Sequence, residues 1–324
     1  MYFELTKDNM TTSEPLSKPT DTSGKRIPYF DLAKGVCILL VIWFHLGVQT
    51  PFDPYLNAIR MPLYVFLSGL FFKTYGGILQ LIHKKTKRLL IPFFFFYLTT
   101  SVLLPILAHN LLGINFETGQ DWRLLYAFLT YHDFPNIPLW FLWGLFMLNV
   151  AFYVLHRFIK SDILLGLCCL VLGIVLGRIL SLPASISKAF VYIFYFYLGY
   201  MATRYDVIEK LPVQKVLPLA LLLFVALGFF NPASDVLLYI QQTLLSVTGV
   251  LALLLLCKVI KHLPYISYVG RYSIMLLVTH EPLIRLLDVA HIGNPYVCFL
   301  LLAASYLLII PFMRRYMPHV TAQK

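Results

Sequence analysis

Long apolar runs separated by short polar connections set the character of this chain. Stretches able to cross about 30 Å of hydrocarbon occur at 30–48, 55–73, 89–112, 138–156, 163–180, 188–203, 216–230, 237–260, 266–287 and 294–313. The pattern predicts an all-α fold, a polytopic membrane helix bundle of about ten transmembrane helices. Two stretches depart from an uninterrupted span: 188–203 is short, and 266–287 is broken by Arg271, Glu281 and Arg285. Composition agrees, because 59% hydrophobic and 13% charged residues leave far less charge than the ~25% of a soluble domain.

A net charge of +11 would suggest nucleic acid in a soluble protein. In a membrane bundle the basic residues are first sorted by side. With the N-terminus inside, only Arg60, Arg123, Arg178, Lys188 and Arg285 of the 26 Lys and Arg residues fall outside. This bias predicts cytoplasmic N- and C-termini and an even number of crossings. Residues 1–26 are polar, rich in Ser, Thr, Pro and Lys, and hold no apolar core for a cleavable signal. They are expected to form a disordered cytoplasmic tail, followed by a membrane domain at 27–316 and a short cytoplasmic tail at 317–324. Cys37, Cys168, Cys169, Cys257 and Cys298 all lie in predicted spans without ligand spacing, so they read as small packing residues.

Most connections are short, which places any chemistry in or near the bundle. The exception runs from His109 to Ile137 and carries Glu117, Asp121, Trp122, Arg123, His132 and Asp133. Two readings fit it, a carbohydrate-binding loop or a partly structured cover. Neither a Walker A loop nor a Rossmann glycine fingerprint is present, and no HExxH, GxSxG or cysteine pattern accompanies the histidines. ATP hydrolysis, dinucleotide binding and metal binding therefore have no sequence support.

The first apolar run carries Asp31, Lys34 and His45. Ionisable groups are costly inside a bilayer and usually mark function. On a helix, Lys34 and His45 come within about 20° of alignment, separated by about 16 Å along the axis, and Asp31 lies within about 40° of the same face. Snorkelling of Asp31 and Lys34, with His45 as an interhelical hydrogen-bonder, is the alternative. In the ninth run, His280 precedes Glu281 and Pro282 and lies nine residues beyond Arg271, which could bring it to the same depth as His45. It could share a cavity with His45 or make a structural polar contact.

His83, Lys84, Lys85, Lys87 and Arg88 form a dense cationic cluster between the second and third runs. Such a cluster can anchor topology or hold phosphates, as those of coenzyme A; Lys85 and Arg88, at i and i+3, are the candidate ligands. The pair Ser68-Gly69 fits close helix packing or ligand contact. Arg60 fits an outer interfacial role or contact with substrate.

The ordered set of Asp31-Leu32-Ala33-Lys34-Gly35 with His45, Met61-Pro62-Leu63-Tyr64-Val65-Phe66-Leu67-Ser68-Gly69 and Lys85-Thr86-Lys87-Arg88-Leu89-Leu90-Ile91-Pro92 resembles the membrane acyltransferase-3 family. Within it, the chain is similar to fucose 4-O-acetylase-like and surface-polysaccharide O-acetyltransferases. Many members carry Arg where this chain has Lys34, which keeps the charge but loses the bidentate fork. The resemblance implies transfer of an acyl group, most often acetyl from cytoplasmic acetyl-CoA as donor substrate, to a hydroxyl of a cell-surface or lipid-linked carbohydrate. It also implies an integral protein of the bacterial inner membrane, with lipid and glycan partners and without nucleic acid.

Under that implication His45 is the base or, alternatively, a transient acyl carrier, assisted by Asp31 and His280; Lys34, Lys85 and Arg88 bind the donor, and Arg60 and Ser68 contact substrate. Export of a polysaccharide or lipid-linked glycan is the competing expectation, since transporters also use multispan bundles with intramembrane charges.

Overall fold

A computed structural model describes residues 27–113, 129, 135–180 and 182–321. Residues 1–26, and Glu117, Asp121, Trp122, Arg123, His132 and Asp133 of the long connection, lie outside these. Every regular element among the described residues is helical. The first two helices are α1 (Pro28–His45) and α2 (Asp53–Leu70), both opened by a proline in the first turn, where its missing N–H costs nothing. A long rod, α3 (Ile78–Leu111), follows. It contains two π-helical turns, Thr86–Leu90 and Tyr97–Leu103. The first carries Lys87 and Arg88 directly after Lys85, and such turns recur at functional sites.

The chain continues through α4 (Trp140–Phe158), α5 (Asp162–Ile174), α6 (Ala184–Phe190), α7 (Ile193–Arg204) and the single turn α8 (Val207–Lys210). It ends with α9 (Val213–Phe229), α10 (Asp235–Ile260), α11 (Pro264–Arg271), α12 (Ser273–Val289) and α13 (Pro295–Tyr316). Side-chain caps fix three starts: Ser161 accepts from the Leu164 amide, Ser234 from that of Leu237, and Asn294 from those of Tyr296 and Val297.

All ten apolar runs are helical, but six helices are long and apolar enough to cross a membrane. These are α1, α3, α4, α10, α13 and the stretch Asp162–Ile179. The remaining runs fall short for visible reasons. The run at 188–203 is divided between α6 and α7, α9 has 17 residues, and the run at 266–287 is broken at Tyr272 between α11 and α12. Helix α2 is diluted by Asp53, Asn57, Arg60 and Ser68.

Two reciprocal glycine contacts hold the centre together. A Cβ on Gly35 of α1 would overlap the Ile266 carbonyl of α11, and a Cβ on Gly270 of α11 would overlap the Asp31 carbonyl of α1. Likewise, a Cβ on Gly69 of α2 would meet the Phe196 carbonyl of α7, and one on Gly199 of α7 the Phe66 carbonyl. These two helix pairs are the most extensively packed in the bundle. Backbone approach this close suits association in lipid, where burial of apolar side chains gains little over contact with acyl chains. Ser68-Gly69 thus divides its work: the glycine packs against α7, and the serine faces elsewhere.

Because the obstructing atoms are backbone, they cannot rotate away. Gly35→Val and Gly199→Val are each expected to destabilise the protein by at least about 2 kcal/mol, as overpacking does. Thermal unfolding in detergent, followed by monodispersity on size exclusion, measures this. Gly47→Ala is the control: Gly47 has φ 69° and no neighbour within 4 Å of a built Cβ, so its cost is confined to the left-handed backbone, about 1–2 kcal/mol.

Candidate functional site

Six of the eight predicted site residues fall into two clusters joined by α1. The first surrounds a cavity of about 270 Å³ lined by Lys34, Ser68, Lys85, Arg88 and Arg271, with Tyr64 and Phe71 among its apolar and aromatic walls. Lys34 holds its ammonium 5.1 Å from the centre of the Phe71 ring, and the Tyr64 hydroxyl donates to the Lys34 carbonyl at 3.0 Å. Ser68 lies 3.5 Å from the amide nitrogen of Asn149, which also donates to the Leu145 carbonyl at 2.7 Å. Four cationic side chains from α1, α3 and α11 therefore face one space. Positive charge concentrated within low-dielectric walls attracts anions strongly.

Asp31 is almost fully buried, and its carboxylate stands 3.7 Å from Nε of Arg271. It lines a separate recess with Arg271 and His262 and does not line the four-cation cavity. Arg271 borders both spaces. The Gly270–Asp31 backbone contact explains this placement, because it brings the next residue, Arg271, alongside the start of α1.

The second cluster lies at the other end of α1. The ring centroids of His45 and His280 are 5.0 Å apart, nearly edge to face. Nδ1 of His45 is 3.4 Å from Oε2 of Glu281, whose other oxygen is 3.3 Å from Arg285. His280 is fully buried, with Nδ1 2.8 Å from the Leu276 carbonyl. A carbonyl only accepts, so Nδ1 carries the hydrogen and neutral His280 presents a lone pair at Nε2. That nitrogen has no hydrogen-bond partner among the described residues.

Two residues on, Pro282 has no N–H to give the Val278 carbonyl. The side-chain amide of Asn136 supplies the missing donor at 2.9 Å, and it also donates to Thr100 at 2.8 Å. The segment before α4 and the second π turn of α3 thereby brace the part of α12 that carries His280 and Glu281.

Arg60 joins neither cluster directly. It is buried, with its guanidinium 4.1 Å from the centre of the Phe44 ring, and its carbonyl accepts from the Cys37 thiol at 2.7 Å. Its neighbour on α1 is thus the residue just before His45. The structure brings Lys34, Ser68, Lys85 and Arg88 together, and separately His45 and His280. It does not put both sets around a single cavity.

A family model described as an acyltransferase domain, the third of the acyltransferase families, matches residues 27–316. The chain belongs to this family. No match was found among curated proteins or solved structures. Membership makes the helical bundle a membrane acyltransferase. Four members of the two clusters carried no role in the sequence reading: Arg271, Glu281, Arg285 and the positioning residue Asn136. For Glu281 and Arg285 a signal was present, namely two charges breaking an apolar run beside a histidine. Arg271 was hidden among basic residues that satisfy the topological bias, and for Asn136 nothing in the sequence links it to Pro282.

Proposed function

We propose that the chain is an integral-membrane O-acyltransferase that moves an acyl group, acetyl in the simplest case, from cytoplasmic acyl-CoA to a hydroxyl of a cell-surface or lipid-linked carbohydrate. The reading includes the bacterial inner membrane, ten crossings and both termini inside. Its chief support is the placement of four cations around one cavity, with an imidazole–carboxylate pair about 16 Å away along the same helix. A donor with phosphates at one end and a thioester at the other has that layout.

Lys34, Lys85, Arg88 and Arg271 neutralise the donor's phosphates. Lys85 and Arg88 project from the π turn region, and Lys34 acts as a point charge rather than a bidentate fork. Ser68 offers a hydroxyl to the pantetheine amides. At the other end, Glu281 orients His45 through Nδ1, which leaves Nε2 of His45 to take the proton of the acceptor hydroxyl as its oxygen attacks the thioester carbon. Collapse of the tetrahedral species breaks the carbon–sulfur bond, and the departing thiolate receives the proton from His45. Arg285 holds Glu281 from the far side. His280, with Nδ1 committed to the Leu276 carbonyl, serves as a hydrogen-bond acceptor rather than a donor. Asp31 acts through Arg271, as a positioning residue.

His45→Ala is expected to lower acyl transfer in reconstituted vesicles by about 10²–10⁴-fold, the usual contribution of a general base, while the melting temperature and the donor KM hold. Glu281→Gln should give a smaller loss of kcat with the same pattern. Full transfer by His45→Ala would overturn the assignment. Unchanged glycan acetylation in a deletion strain that traps polymer inside the cell would favour export instead.

The cation cluster makes a separate prediction. Arg271→Ala and Lys85→Ala should each raise the KM for acetyl-CoA by about tenfold or more, the value of a charge-assisted hydrogen bond, with kcat altered far less. Steady-state kinetics at fixed acceptor, repeated with increasing salt, checks this.

A further inference from the structure

A second cavity, of about 520 Å³, lies at the end of α2 remote from the four cations. Asn57, Ala58 and Pro62 of α2 line it, whereas Tyr64, Ser68 and Phe71 of the same helix line the cationic cavity. Asn57 and Ser68 are eleven residues apart, about 16 Å along the axis, so the two spaces are at opposite ends of a shared wall.

The lining chemistry differs from that of the first cavity. Tyr192, Tyr195 and Tyr239 provide rings that carry hydroxyls, and Gln241, Gln242 and Ser246 provide hydrogen-bonding groups. The Arg178 guanidinium is 4.7 Å from the centre of the Tyr239 ring and 3.5 Å from Oε1 of Gln242, which fixes a shelf of ring, cation and amide. Gln241 and Ser246 are buried, and Gln241 is oriented by donation to the Leu227 carbonyl at 2.7 Å. Pro62 has no N–H for the Ala58 carbonyl, and both residues face this space. At Pro282 an asparagine answers the equivalent carbonyl.

Gln241 and Ser246 have partners within the bundle, and the polar shelf beside them suits an occupant with matching donors and acceptors. Aliphatic lipid chains supply none. A saccharide unit supplies both halves: C–H faces that stack on tyrosine rings, and a rim of hydroxyls for amides, carbonyl and guanidinium. A chain of neighbours runs from the cavity wall toward the reacting pair: Asn57, Ala58 and Pro62 of α2 line the cavity, Arg60 lies between them in the chain and stacks on Phe44, and His45 follows Phe44.

The geometry points to this cavity as the acceptor site, holding one or two sugar units of the glycan while the hydroxyl to be acylated reaches toward His45. Its identification as an acceptor site rests on the acyl-transfer reading, but glycan binding there can be measured without any transfer.

The test uses the full chain in nanodiscs and, as probe, oligosaccharides released from the source organism's surface glycan and deacetylated with alkali. Saturation-transfer NMR reports binding. Wild type and His45→Ala should bind alike. Tyr239→Ala and Gln242→Leu should each weaken binding about tenfold, and Tyr239→Phe, which keeps the ring, should retain most of it. Lys85→Ala should leave binding unchanged. Absence of binding by wild type, or equal binding by the Tyr239→Ala and Gln242→Leu variants with wild-type melting temperatures, would overturn the proposal. Acetyl-CoA turnover, measured in parallel on wild type and His45→Ala, tests the acyl-transfer reading on its own.

Discussion

Contact between α1 and α11 at Gly35 and Gly270 is the constraint on which the proposed site depends. Each glycine admits the other helix's carbonyl where any side chain would collide with it. This approach aligns Asp31 and Lys34 with Arg271 at one end of the pair. Since α12 follows α11 after Tyr272, it also fixes where His280 comes alongside His45. In lipid, where apolar burial gives little net drive, backbone-to-backbone fit carries much of the specificity that a hydrophobic core supplies in water. The glycine that follows Lys34 in the sequence therefore serves the same chemistry as the lysine, through packing rather than charge.

Prolines act as the second organising device. Inside a helix a proline leaves a carbonyl without its donor, and in a bilayer that carbonyl needs another partner. At Pro282 the partner is Asn136, whose two donor bonds tie α12 to the second π turn of α3. The bond is local in effect, since it steadies the turn of α12 that carries the imidazole of His280 and the carboxylate of Glu281. At Pro62 the residue whose carbonyl loses its helical donor, Ala58, lines the polar cavity together with the proline itself.

Helical class and membrane character were legible because they depend on composition and run length, which a sequence displays directly. Crossing number was less so. Run length located α2 and α9 as apolar helices, but α2 is diluted by polar residues and α9 has 17 residues, so neither is among the six helices long and apolar enough to cross. Within the site, Lys34, Ser68, Lys85 and Arg88 line one cavity, and His45 meets His280. The two sets do not line one cavity, because eleven residues of α1 hold them apart. Asp31 faces Arg271, a pairing created by the Gly270 contact and so invisible to helical periodicity.

Separation of charge along α1 then acquires a physical meaning. Were the cations adjacent to His45, their field would oppose the positive charge that an imidazole gains when it accepts a proton. Placing them about 16 Å away preserves their attraction for a polyanionic ligand at one end and spares the imidazole at the other. Close to His45, the nearest counter-charge is instead the Glu281 carboxylate at 3.4 Å, itself balanced by Arg285 at 3.3 Å. Acidic and basic groups are thus paired around His45, and basic groups are gathered at the other end of α1. In the proposed reaction, a donor spanning both clusters would connect two electrostatic environments that the helix itself keeps distinct.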